Sequence, residues 1–464
     1  MSGSARLPAA FLSRLAEAVG AEDLYTDPAD RWPYGYDNSR RHTLPDAVAF
    51  AASHAEVLAV VRLCNEFKVP LTARGLGSST TGSAVPVQGG LVLALERMNR
   101  ILSVDSANRA LVVETGATNT AVQEAAAKHG FFWPPDPTSA SYSTVGGNLA
   151  CGAGGPKAVK YGTTRENVLG LRAVTGAGQE LVAGVYTTKG AMGYDFTRLL
   201  IGSEGTLAVI TEATLKLTPK PEAVRTLRAI YSDMTAAAAA VSRIMAQPVT
   251  PCVLEFIDGP SIGMIRGYAD NDLPADAGAM LLIEVDGRPE ELDASAAAVG
   301  QAAQGPGCME FRAARDAKES ASLWASRKAL SPALRKIAPK KINEDVVVPV
   351  SRMADFITRL AELSKQYGVP IVNFGHAGNG NIHVNLLVDP DDAAQMKNAE
   401  PCLREVFKTV LDMRGTLSGE HGVGLEKRPF MGLEFDAPTL DLMRRIKRDF
   451  DPNGILNPGK LLPD

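Results

Sequence analysis

Little in this chain can cross-link it. Its five cysteines (Cys64, Cys151, Cys252, Cys308, Cys402) are an odd number, widely spaced, with no C-x-x-C pair among them. That pattern excludes a disulfide framework and an iron–sulfur cluster on the chain itself, and it fits a reducing, cytoplasmic compartment. A surplus of positive charge is missing too: 48 Lys and Arg face 52 Asp and Glu, for a net charge of −4. Without a basic footprint, nucleic acid is not an expected partner. No apolar run reaches the ~18 residues that a membrane span needs. The N-terminal stretch carries Arg6 and Arg14, but Ser13, Arg14 and Glu17 break any apolar core of a signal peptide. Residues 9–19 read instead as a short amphipathic helix. Any peripheral attachment to the inner membrane would therefore run through a partner. Hydrophobic residues at 45% and charged residues at 22% are ordinary for a globular protein, and 464 residues allow two or three domains.

Glycine is abundant and unevenly spread. Residues 144–155 pack Gly146, Gly147, Gly152, Gly154 and Gly155 around Asn148, inside the run PPDPTSASYSTVGGNLACGAGGPKAVKYG at 134–162. Glycine is costly to order at this density and is kept where the backbone takes φ > 0 or approaches a ligand closely. Successive N–H groups turned to one side make a concave anion site that suits a pyrophosphate. A flexible linker is the plainer reading, yet Pro-Pro-Asp-Pro in front and an apolar strand at 168–174 behind do not suit one. A second segment lies upstream, Arg74-Gly75-Leu76-Gly77-Ser78-Ser79. A third lies downstream, Gly202-Ser203-Glu204-Gly205-Thr206, before a strand that runs through Ile210. Alone, the first could be a plain strand–turn and the third a hairpin turn. None is a Rossmann fingerprint, because no strand feeds a G-x-G-x-x-G turn that opens a helix.

Hydrophobic periodicity places helices at 55–67 and 120–129 and strands at 47–51, 71–73, 91–95, 101–104, 111–114, 170–175, 181–185 and 207–217. Pro219-Lys220-Pro221 marks a boundary, since two prolines in three residues stop helix and sheet alike. Beyond it, strands are expected at 224–231, 252–257, 280–285, 345–349, 370–374 and 382–387. Helices are expected at 234–245, 290–303, 316–336 and 351–367. The alanine run 236–240 reads as helix surface. The fold class is α+β throughout, with an antiparallel sheet covered by helices in the second half.

Two of the six histidines frame the turn Gly375-His376-Ala377-Gly378-Asn379-Gly380-Asn381-Ile382-His383-Val384-Asn385, and Ser418-Gly419-Glu420-His421-Gly422-Val423-Gly424 sets a carboxylate beside an imidazole. Two imidazoles and a carboxylate suit a borderline divalent metal (Zn, Mn or Fe) with positions open for substrate. The spacing is not the helical H-E-x-x-H of zincins, and a set of structural histidines stays open on the residues alone. So does a non-flavin metallohydrolase using the same side chains.

The three glycine segments, in this order, resemble those of flavoproteins of the vanillyl-alcohol oxidase type, and the likeness runs over roughly 37–462. It is closest to the FAD-linked D-lactate and glycolate dehydrogenases. The resemblance implies an FAD-binding domain over 1–221, a substrate or cap domain over 222–413, and a C-terminal segment, 414–464, whose DPNGILNPGKLLP returns to the flavin. The implied FAD contacts are Arg74, Gly75, Gly77, Ser78, Ser79, Pro135, Thr144, Gly146, Gly147, Asn148, Gly152, Gly154, Gly155, Gly205, Ile210 and Asn457. Some relatives attach FAD through a histidine in the first segment; 72–81 holds none, so FAD is expected to be non-covalent.

By the same resemblance, His376, His383 and Glu420 bind the metal, His421 is the general base, and Asn385 supports the substrate. Arg327, in Trp324-Ala325-Ser326-Arg327-Lys328, grips the substrate carboxylate; on the residues alone it would be a solvated helix face. The implied reaction oxidises a D-2-hydroxy acid, D-lactate foremost, to the 2-keto acid, with hydride passing to flavin N5. Relatives acting on D-2-hydroxyglutarate carry a lysine two residues before the aspartate of Asp-x-x-x-Pro; here Asn343 precedes Asp345, with Lys340 and Lys341 nearby. That favours a short monocarboxylate. Electrons would leave to a separate acceptor (quinone, cytochrome or electron-transfer flavoprotein), and a homodimer is compatible. A non-redox flavoprotein of the same fold, such as an alkyl-glycerone-phosphate synthase, is the remaining rival.

Overall fold

The structure is a computed structural model that describes residues 7–266, 273–337 and 340–463; Arg6 lies outside the described residues. The chain forms two compact units. One takes residues up to 155, 162–220 and from 420 on, and the other takes 156–161 and 221–419.

The first unit holds two larger sheets and a two-stranded ribbon that pairs Phe131–Phe132 with Thr218–Pro219. A four-stranded sheet runs Leu24–Tyr25, Ala47–Phe50, Leu91–Ala94, Leu71–Arg74, its last three strands parallel. The helices Ala9–Val19 and His54–Phe67 bury Phe11, Leu15, Val57, Val60, Val61 and Cys64 in one core with Leu91 and Leu93. Ser53 starts the second helix by accepting the Glu56 N–H and donates its hydroxyl to the Glu56 carboxylate, which also accepts the Ala52 N–H. A five-stranded antiparallel sheet runs Ile101–Asp105, Ala110–Glu114, Ala208–Lys216, Val168–Thr175, Glu180–Gly184.

The glycine-rich run between these strands is not wholly a loop. Val145–Cys151 is a helix in spite of Gly146 and Gly147, capped by Thr144, whose hydroxyl accepts the Gly147 N–H at 3.1 Å. Burial of Val145 and Leu149 in the core outweighs the roughly 1 kcal/mol per residue that glycine costs a helix.

The second unit is one seven-stranded antiparallel sheet. Edge to edge it runs Cys308–Ala313, Ala223–Tyr231, Ala279–Gly287, Val253–Asp258, Ile371–His376, Asn381–Val388, Lys340–Val347. The last of these corrects the expected strand at 345–349: it begins five residues earlier and stops before Pro349, which has no N–H for a ladder. The alanine run also differs from expectation. It lies in the helix Met234–Ala246, where Ala237, Ala238 and Ala240 are buried packing positions rather than surface. The strand Cys308–Ala313 and the helices Gly259–Arg266, Ala393–Asp412 and Ala437–Phe450 extend beyond the sequence reading.

Candidate active site

In the first unit, hydrogen bonds draw the three glycine segments together. A Cβ on Gly75 would collide with the Thr144 hydroxyl, so only glycine lets the first segment lie against the second. The second segment receives the third: Gly202 N–H donates to Leu149 O at 2.9 Å and Glu204 N–H to Ala150 O at 2.8 Å. Asn457 staples the C-terminal segment onto both ends of this cluster. Its backbone N–H donates to Leu71 O at 2.7 Å, and its Nδ2 donates to Ser83 O at 2.9 Å and Glu204 O at 2.7 Å. Gly205, at φ +69°, has open space where a Cβ would sit, as a backbone facing a ligand requires. The cluster therefore fits a dinucleotide flavin.

Several of the expected contacts have side chains already engaged within the protein. Arg74 donates to Tyr36 O at 2.7 Å and Pro33 O at 3.3 Å, with its guanidinium 5.7 Å from the Tyr34 ring centre. Asn148 joins Asn119 and Ser143, and Pro135 O accepts from Asn119 at 3.0 Å. Ser79 shares its hydroxyl with Thr81 and Ser83, while Ser78 O and Ser79 O accept from Asn38. Ile210 O accepts from Thr115. Gly155 packs on Asp136, and Gly152 ends the helix Val145–Cys151.

Glu204 was only a letter of the third segment in the sequence; the structure gives it work. It is buried in the left-handed region at φ +53° and accepts the N–H groups of Val423 (2.5 Å) and Gly424 (2.8 Å), fixing the turn that bears His421. Thr81 adds a bond to His421 O at 3.5 Å. Burial pushes the Glu204 carboxyl up to about 7, against the pull of those N–H groups and of Lys427 and Lys460. An unfolded glutamate titrates near ~4.3. With the folded value raised, the stability Glu204 contributes is complete below ~4.3 and lost as pH rises through about 7. Lys460, which burial drives down to about 8, acts in a separate alkaline window. Thermal melts of the FAD-loaded protein are expected to fall between about pH 5 and 7.5, and Glu204→Gln to flatten that slope. A slope unaffected by the substitution would put the titration elsewhere.

In the second unit the antiparallel register builds the face. His383 lies directly opposite Phe374, and His376 is two residues on from Phe374, so both imidazoles share one side of the sheet. The rings are buried, with centroids 5.2 Å apart at 84°. Glu255 lies directly opposite His376 on the neighbouring strand and is 1% exposed. Its Oε1 meets His376 Nδ1, and its Oε2 accepts from Arg327 Nε at 2.8 Å. Burial opposes the charge on this carboxylate, but His376 and Arg327 outweigh it and hold the group below its usual range.

Arg327 belongs to the helix Ala317–Ile337, which lays one ridge across the strands. Ser320 meets Thr226 at 2.7 Å, Trp324 Nε1 donates to Glu284 at 2.6 Å, Arg327 reaches Glu255, and its guanidinium sits 4.7 Å from the Phe374 ring centre. Three- and four-residue steps keep these side chains in one row. Arg327 is thus not a solvated helix face.

Asn385, two residues after His383, is fully buried. Its Nδ2 donates to His383 O at 2.9 Å and Val372 O at 3.3 Å, which fixes the amide orientation and leaves Oδ1 with no donor among the described residues. Asn343 stands directly opposite it. Strand alternation puts Lys341 on the side of Asn343 and Lys340 on the other, where its Nζ lies 3.8 Å from Met396 Sδ.

Asp345, opposite His383, holds the turn ahead of Glu420: Gly419 N–H donates to Asp345 O at 3.1 Å and Oδ2 at 2.9 Å, and Ser418 Oγ donates to Oδ1 at 3.4 Å. Glu420 follows directly in the chain. His376 and His383 set two imidazole donors side by side on this face, a ligand type that suits a divalent cation. Sequence reading missed Glu255 and the anchoring by Asp345. The available signal was a carboxylate in the middle of an otherwise apolar strand, Val-Leu-Glu-Phe-Ile, since a buried acid needs partners.

No described helix is long and apolar enough to cross a membrane. Residues 45–184 match the FAD binding domain model and residues 220–461 the model for FAD linked oxidases, C-terminal domain. The chain is 37% identical to the glycolate oxidase subunit GlcD of Bacillus subtilis, over 97% of this chain and 96% of that one. It is 33% identical to a D-lactate dehydrogenase of Anaerostipes hadrus, over 90% and 89% respectively. The structure of p-cresol methylhydroxylase with substrate bound superposes with a TM-score of 0.80 at 17% identity, covering 97% of this chain and 96% of that one, a likeness of fold alone. The FAD binding domain match, the antiparallel sheet of the C-terminal domain and the whole-length relatives agree with the expectation from the glycine segments, and the chain belongs to the FAD-linked oxidases.

Proposed function

We propose that this protein is an FAD- and metal-dependent dehydrogenase that oxidises a short D-2-hydroxy monocarboxylate, D-lactate foremost, to the 2-keto acid. The observation that carries this reading is the single buried face on which Glu255 joins His376 to Arg327, a metal-ligand type beside a carboxylate-binding type. The relatives named for glycolate oxidation and D-lactate dehydrogenation support the substrate class. Glycolate is the alternative within it. The match to an FAD binding domain removes the non-flavin metallohydrolase.

His376, His383 and Glu420 would hold the metal, and the clustered glycine segments would hold FAD non-covalently. Because the Arg74 and Asn148 side chains are committed inside the protein, their share in binding FAD falls to their backbones. What the bound groups supply is a two-electron acceptor for the Cα hydrogen and a positive charge beside the substrate hydroxyl. The chain's own residues do the rest. Arg327 grips the carboxylate, its planar guanidinium setting orientation as well as energy. His421 takes the hydroxyl proton. Asn385, buried on the same strand face as His383, supports the substrate. Asn343, in place of a cation, gives a distal carboxylate no counter-charge. Electrons then pass to a separate acceptor.

Anaerobic addition of D-lactate, L-lactate, glycolate and D-2-hydroxyglutarate tests this, with the flavin absorbance as readout. D-Lactate is expected to bleach the flavin fastest and D-2-hydroxyglutarate slowest, and acid precipitation is expected to release FAD into the supernatant. Bleaching by none of the four would sink the reading; colour left in the pellet would sink its non-covalent part.

A further inference from the structure

Glu255 touches both halves of the substrate-side machinery, yet binds neither metal nor substrate in the reading above. We propose that Glu255 is the positioning residue of this site, fixing His376 for the metal and Arg327 for the substrate carboxylate through its two oxygens. This rests on the metal and carboxylate roles proposed for those residues.

An ionised carboxylate can only accept, so the His376 Nδ1 that meets Glu255 Oε1 must carry the ring proton. The lone pair then resides on Nε2, and the ring is held in the tautomer and rotation that present Nε2 as a ligand. Without that acceptor nothing on Glu255's side selects the tautomer that protonates Nδ1. The other oxygen does the same for Arg327. It takes Nε–H at 2.8 Å while Phe374 supports the guanidinium face at 4.7 Å, so the plane of the fork is set before a substrate arrives. Strand register brings Glu255 opposite His376, and the helical row places Arg327 over it, so both contacts come from regular elements.

The bland reading is an ion pair that merely neutralises a buried arginine. Glutamine separates the two. It keeps the volume of Glu255, but only one of its two terminal atoms accepts, so its NH₂ stands where one carboxylate oxygen stood and faces one of the two N–H groups.

The experiment uses the FAD-loaded protein, stripped of metal and titrated with Co²⁺ by calorimetry and by the ligand-field absorption of the ion. Glu255→Gln is expected to weaken Co²⁺ binding by ~10–100-fold and to change the Co²⁺ spectrum. It should also raise KM for D-lactate and leave the FAD content untouched. Glu255→Asp, which keeps a carboxylate on a shorter arm, is expected to recover part of both, and it carries the same test should the glutamine variant not fold. Wild-type Co²⁺ affinity, spectrum and KM in these variants, even with a lowered melting temperature, would overturn the proposal and leave a structural ion pair. The metal reading fails separately: if His376→Ala and His383→Ala also bind Co²⁺ like wild type, both ideas fall. If only the histidine variants lose the ion, Glu255 alone is misassigned.

Discussion

His376→Ala and His383→Ala are each expected to abolish flavin reduction by substrate while the flavin stays bound, and a chelator is expected to do the same to the unmodified protein. The two effects separate because the histidines sit on the hairpin of Ile371–His376 and Asn381–Val388 in the second unit, whereas the clustered glycine segments belong to the first. A cation beside a developing alkoxide contributes several kcal/mol to the transition state, and each ~1.4 kcal/mol is tenfold in rate. The reduction rate should therefore drop by more than ~10². Stopped-flow bleaching with FAD stoichiometry measured in parallel reads both quantities. A metal-free preparation that reduces its flavin at the normal rate would remove these residues from the mechanism.

Much of this site was legible in the sequence because the chemistry demands unusual local composition. Glycines clustered in three places mark backbone that comes close to other segments, as Gly75 does to Thr144, and two histidines around Ala-Gly-Asn-Gly are an unusual composition for a turn between strands. What stayed illegible was what register decides. Glu255 lies more than a hundred residues from His376 in sequence and meets it only because the strand Val253–Asp258 pairs with Ile371–His376. The Asp345 carboxylate reads as one more polar residue until pairing sets it opposite His383 and under the turn ahead of Glu420.

The misplaced elements have equally specific causes. The strand Lys340–Val347 carries Lys, Asn, Glu and Asp, so its polar start hid it, while the apolar valines drew the expected strand too far toward Pro349. The helix Ala393–Asp412 holds Pro401 in its interior, a residue that ordinarily ends a helix, and its buried Cys402, Leu403, Val406, Phe407 and Val410 keep it whole. The alanine run looked like surface because alanine is small. It is buried for that reason, since small residues let the helix Met234–Ala246 lie close to the sheet.

His421→Ala is the substitution that tests the proton step, and it is expected to slow flavin reduction by ~10² to 10⁴, the usual loss on removing a positioned general base. When the Cα hydrogen leaves with its electron pair, the hydroxyl proton must also go, or the product would be a protonated ketone of high energy. An imidazole is the side chain that accepts a proton readily at neutral pH. Its turn is well fixed: Glu204 takes the N–H groups of Val423 and Gly424, and Thr81 bonds the His421 carbonyl. These are backbone contacts, so truncating the side chain should leave the turn, the FAD content and the Co²⁺ affinity as they were. Arg327→Met is the control, because losing the carboxylate grip should appear mainly as a raised KM. Should His421→Ala reduce its flavin at near-normal rates with FAD and metal bound, the proton goes to another acceptor and the turn held by Glu204 would be structural only.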